Sequence, residues 1–263
     1  MSSPTTDTAA GTSQRYQIAV FSAVDDPHEL GEILAQKLGL HPIDAMIHAR
    51  YVPGILPDLL TEEQARDLAS AINSLGTHAE AIPTQDIPSL DHAAVVHHVK
   101  CHDEGLEILG LDGTKERLIP WTDVELISMG QVPVETAKHF SVERVSVSAG
   151  RHTGHAPMEL QLPPSPEVWF VCKNPACCFR IDHKRMNYET LGSRMTDSAT
   201  ANFYVLLTDF VARAKQTYLT PATRAFLDCE SAELYSFESA EHLRRYTLLH
   251  QLIQQRLPSG KSQ

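Results

Sequence analysis

The run TEEQARDLASAINSLGTHAEAI, residues 61–82, constrains the fold more than any other stretch. Thr61 and Gln64 stand at capping-box spacing, where each side chain can bond the other residue's backbone N–H and so fix the start of a helix. Ala65, Leu68, Ala69, Ile72 and Leu75 recur at helical spacing and form one apolar face. Gly76 takes a left-handed conformation at little cost and ends the helix. THAEAI then returns as a strand. A helix with fixed ends and a single apolar face needs a sheet close by to pack on.

The preceding residues supply that sheet. YQIAVFSAV (16–24) alternates and reads as a strand. Asp26 can cap a helix, Pro27 suits its first position, and Glu29 sits where a capping-box carboxylate reaches back. Leu30, Ile33, Leu34 and Leu38 share one face, and Gly39 stops the helix. HPIDAMIHA (41–49) predicts a short second helix with Ile43, Met46 and Ile47 inward. The prolines of RYVPGILPDLL permit only a short, edge-like strand or an extended link. Residues 15–84 thus read as a β-α-α-β-α-β module.

The stretches LGLHPIDAM and LTEEQARDLASAINSLGTHAEAI resemble the C-terminal domain of the bacterial ribosomal stalk protein, a fold shared with the Clp-protease adaptor. The resemblance implies a small α/β module that binds another protein. Where the stalk domain presents lysines beside its Gly–Leu corner to recruit translation factors, this chain carries His41, Pro42, Ile43 and Asp44. Where the adaptor uses an Asn–Asp pair after its first strand, Val24 precedes Asp25 and Asp26. His48 falls near the adaptor's pocket histidine. A translation-linked, ribosome-associated role is the alternative that the stalk likeness implies.

Beyond a linker at 85–90, strands dominate. AAVVHHVKC (93–101) reads as one strand, and GLEILGLDGTKERLIPW as a hairpin turning at Asp112–Gly113. TDVELISMG and FSVERVSVSAG (140–150) alternate. A Gly/His/Pro-rich loop (151–166) leads to EVWFVC, the turn KNPA, and CCFRID. A helix over 198–215 buries Phe203, Leu206, Leu207 and Phe210. GLEILGLDGTKERLIPWTDVELISMG resembles the bacterial pleckstrin-homology-like domains, which implies a PH-like small barrel or sandwich over 91–217, capped by a helix. A phosphoinositide site would need more cations than Lys115 and Arg117 supply. Thr220–Pro221 starts a further helix. The final one, with Leu243, Tyr246, Leu249, Leu252 and Ile253, closes a C-terminal extension (218–263) and could dock within the chain or pair with a second copy. The whole is expected to be α+β.

CKNPACC (172–178) is the one stretch that invites a metal. Cys172 and Cys177 flank a turn and could supply half a zinc site, with His183 the nearest third ligand. Cys178, adjacent to Cys177, points to the other face. His97, His98, Cys101 and His102 alternate, so at most two share a face, and His152 and His155 lie in the 151–166 loop. No second C-x-x-C exists, and reduced cysteine also behaves as a small buried hydrophobe. We therefore expect no cofactor, while a zinc-binding or ligand-sensing regulator built on this hairpin stands as an alternative function.

A formal charge of −11 repels phosphate backbones and argues against nucleic-acid partners. No apolar run approaches the ~20 residues of a membrane helix. The leader MSSPTTDTAAGTSQ lacks the apolar core of a secretory signal. We expect a disordered tail over 1–14, a cytoplasmic location, and reduced cysteines. Nucleophile-elbow, Walker, dinucleotide and H-E-x-x-H motifs are absent. The expectation is a non-enzymatic protein–protein interaction module, an adaptor or regulatory scaffold.

Overall fold

The computed structural model describes residues 14–134, 163–174 and 176–256. The first unit runs β1 (Tyr16–Val20), α1 (Pro27–Leu38), α2 (Pro42–Ala49), β2 (Gly54–Ile55), α3 (Glu62–Asn73) and β3 (Ala79–Pro83). This is the expected order. The strands form an antiparallel sheet in the order β2-β1-β3. Both halves of the Thr61–Gln64 capping box are present, and Gly39 ends α1 with φ at 66°. Asp26 caps α1 by accepting from the His28 N–H at 2.8 Å; the reciprocal bond expected from Glu29 does not form.

Alternation along β1 divides its side chains between two cores. Ile18 and Val20 face the helices, among Leu30, Leu34, Leu68 and Ile72. Ala19 faces the opposite way, into a core shared with the rest of the chain.

The remainder comprises β4 (Ala94–Val95), β5 (Val99–Cys101), β6 (Gly105–Leu109), β7 (Lys115–Pro120), β8 (Val124–Val132), β9 (Ser165–Lys173), β10 (Ala176–Asp182), α4 (Ala199–Arg213), β11 (Tyr218–Leu219), α5 (Pro221–Leu227) and α6 (Ala240–Arg256). The molecule is α+β, as expected; of the barrel or sandwich foreseen, the strands among the described residues close no barrel. They form an open five-stranded sheet, β11-β8-β9-β10-β4, and a separate three-stranded sheet, β5-β6-β7. The run AAVVHHVKC is not one strand. Ala94–Val95 joins β10, and Val99–Cys101 joins β6. Between them, His97 O accepts the Asn187 N–H at 2.7 Å and the chain passes from one sheet to the other. The strand expected over 140–150 lies outside the described residues, as does the loop 151–162 with His152 and His155.

The five-stranded sheet is covered on both faces. On one, Ile127, Met129, Phe170 and Phe179 pack with Phe203, Leu206, Leu207 and Phe210 of α4 and with Leu106 and Ile119 of the small sheet. On the other, Leu126, Trp169 and Val171 meet Leu243, Tyr246, Leu249 and Leu252 of α6. Every residue of β9 except Lys173 is therefore buried. Gly130 of β8 has a packing reason: a Cβ there would collide with the Phe237 ring.

α6 also joins the two parts of the chain. Arg245 Nη1 donates to Ile55 O at 3.0 Å, and Thr247 Oγ1 lies 2.8 Å from Ser128 Oγ. Leu90, in the stretch expected as a linker, is buried in the same core. The α6 face that could have served a second copy is thus occupied within the chain. No helix among the described residues is long and apolar enough to cross a membrane.

Candidate interaction surface

The β9–β10 hairpin does set Cys172 opposite Cys177. Cys172 is 3% exposed and belongs to the core beneath α4, whereas Cys178 packs on the opposite face. Burial, reinforced by the neighbouring Cys177 sulfur, pushes the Cys172 thiol far above its ordinary value. Cys101 is pushed up to about 12, again chiefly by burial. His183 lies just beyond the far end of β10; at about 3.3 Å per residue, Cys177 and His183 are roughly 20 Å apart. The structure unites Cys172 with Cys177 and leaves His183 elsewhere. Among the described residues, no group of three or more His, Cys, Asp or Glu side chains could hold a metal ion.

Several other histidines have structural partners. His102 Nε2 lies 2.9 Å from Glu107. His97 Nδ1 approaches Arg185 O at 3.2 Å and, with His98, lines a shallow hollow that Leu111 and Asn187 share. His48 Nδ1 sits 3.0 Å from Asp58, and its ring stacks on Tyr51.

His183 belongs to a Ser–His–Asp group that spacing alone does not reveal. Its Nδ1 lies 2.7 Å from Ser165 Oγ, and that hydroxyl is 3.2 Å from Asp182 Oδ1. A catalytic triad places serine and carboxylate on opposite ring nitrogens. Here both meet the Nδ1 side, at 2.7 and 3.9 Å. His183 is 5% exposed and packs edge-on against Phe203, and burial depresses its pKa. The group ties together the start of β9 and the end of β10.

One surface open to a partner is on α2, where the inward expectation is reversed for two of the three large apolar side chains while Met46 packs against Gly31. Ile43 and Ile47 were expected inward; they are 65% and 44% exposed. Ala45 and Ala49 face the core instead. The cause is close helix packing. Gly31 of α1 leaves room for the Met46 side chain, and a Cβ at residue 31 would strike the Met46 sulfur. With two alanines and one glycine in the contact, α2 lies against α1 on its small-residue face and turns its isoleucines outward.

The helix is held firmly despite its length of 8 residues. His41 Nδ1 accepts the Ile43 N–H at 3.3 Å, and Pro42 occupies the first turn. Ile43 and Ile47 stand one turn apart, and with Pro42, Met46 and Arg50 they line a shallow groove of about 340 Å³. The other strongly exposed large apolar side chains among the described residues, Leu59, Leu111, Met195 and Leu234, come from separate segments. Periodicity shows that α2 is amphipathic but not which face is covered; the small residues at 31, 45 and 49 were the available signal. Comparison with protein-family models, curated proteins and solved structures finds no match to this chain.

Proposed function

We propose that this protein is a non-enzymatic interaction module, an adaptor or regulatory scaffold, which docks an apolar segment of another protein on α2. The exposure of Ile43 and Ile47 on one helical face carries this reading. Burying a large aliphatic side chain favours association by about 1.5–3 kcal/mol. Two such side chains on a firmly held helix can therefore anchor a partner, and contiguous exposed apolar surface is a mark of interaction sites. Arg50, 3.6 Å from Glu238, gives the groove a polar edge. The resemblance of residues 15–84 to the stalk and adaptor modules, which bind other proteins, points the same way.

The test compares affinity purifications from the native host with the wild-type chain and an Ile43→Asp/Ile47→Asp variant, quantified by mass spectrometry. At least one protein should be depleted about tenfold or more in the variant, since each lost anchor removes more than about 1.4 kcal/mol. The variant should stay folded with only a small drop in melting temperature, because Ile43 is mostly exposed and Ile47 nearly half exposed. Identical partner sets from the two chains would contradict the proposal.

A further inference from the structure

A second feature lies away from α2, where residues 89–93 run past the start of α6. Three arginines converge there in a chain of net charge −11. Arg180 is held by Glu167, its Nη1 donating at 2.8 Å. The second oxygen of Glu167 accepts the Trp169 indole N–H at 2.7 Å, so both carboxylate oxygens are engaged and buried. The Arg180 guanidinium lies 5.9 Å from the Trp169 ring centroid. Among the described residues its Nε and Nη2 have no hydrogen-bond partner, and the side chain is one-third exposed. Arg244 donates to Glu241 at 3.1 Å and also meets Asp91. Arg245 is anchored by Ile55 O and Glu241.

Asp91 differs from the other two acids. Its side chain is 63% exposed, against 5% for Glu167 and 39% for Glu241. Among the described residues it is steadied only by the Ser89 hydroxyl at 2.9 Å and by Arg244. It also stands between two hollows. One, of about 320 Å³, is lined by Trp169, Arg180 and Arg244. The other, of about 280 Å³, is lined by Gln17, Thr84, Ser89 and Arg245. Both share Asp91 and Arg244. Rotation of the exposed Asp91 side chain would free the Arg244 Nη2 edge it now holds, in the hollow that Arg180 also lines.

We propose that the hollow lined by Arg180 and Arg244 is a carboxylate-binding site, its Arg244 edge occupied in this state by the chain's own Asp91 and opened to a ligand carboxylate when Asp91 swings out. Arg244 takes the incoming carboxylate, as guanidinium and carboxylate geometries match. Arg180, fixed by Glu167 and Trp169, supplies the second set of donors. The ligand is an organic acid or the acidic end of a peptide, and Asp91 is a tethered competitor that weakens its binding.

The chain has two tryptophans, Trp121 and Trp169, so the indole N–H region of an NMR spectrum reports the site directly. Succinate and a short peptide ending in aspartate are titrated separately. The Trp169 indole resonance should shift saturably with at least one probe while Trp121 stays still. Response to succinate identifies a small acid; response to the peptide alone identifies a chain end. Asp91→Ala should tighten binding by about threefold, the worth of an exposed ion pair, and Arg244→Gln should abolish it. Should Arg244→Gln fail to fold, the gain in Asp91→Ala decides. An unmoved Trp169 resonance with both probes in the tens of millimolar, or an Asp91→Ala affinity no tighter than wild type, would overturn the proposal.

Discussion

His242 and His250 show most plainly what single residues contribute. Both lie on the buried side of α6, and burial lowers each to about 4 from 6.5. His242 packs against the Tyr51 and Phe237 rings, and among the described residues its Nε2 is buried without a partner. His250 meets the Tyr218 hydroxyl at 3.1 Å. A histidine depressed in the folded state binds its proton more readily when unfolded. Stability is therefore full above about pH 6.5 and falls as pH drops toward 4, by on the order of a few kcal/mol in total. Chemical denaturation from pH 7 to 4 should show that decline, and His242→Phe should remove a substantial part of it. An unchanged slope in the variant would refute this assignment.

Residue-level chemistry was only partly legible beforehand. The pairing of Cys172 with Cys177 followed from the hairpin alone. The Ser165–His183 contact and the Glu167–Arg180 pair join separate strands, and no local pattern announces them.

Elements were legible where their signals are local. Caps at Asp26, Thr61 and Thr220 and the glycine stop at 39 do what their chemistry dictates, whereas the two-residue turn expected at Asp112–Gly113 is a wider loop in which the Gly113 N–H donates to Gly110 O and Gly113 takes φ 77°. Orientation was less accessible. Ile43 and Ile47 lie on a face as regular as any buried one, and only the glycine and alanines that let α1 and α2 approach settle which way the helix turns. The same holds for AAVVHHVKC, a continuous β-prone run divided between two sheets by a long-range contact with Asn187. At this scale α6 is the element whose packing matters most. Leu249 is buried between the sheet and the first unit. Leu249→Ala should cost about 2–5 kcal/mol, depending on how far the cavity collapses. A loss under half a kcal/mol in urea denaturation would mean that α6 is not packed as described.

At the scale of the whole molecule, the described residues place two sheets and six helices around a central sheet buried on both faces, with the first unit joined to it through α6. That arrangement leaves α2 on the outside, held by its own module. The account therefore rests on α2 as the surface that meets another protein. The most direct measurement is photo-cross-linking in the native host, with a photoreactive residue placed at position 43 or, as control, at position 66 on the exposed side of α3. The account predicts a discrete cross-linked product from position 43 that position 66 does not give. No product from position 43, or the same products from both, would contradict it.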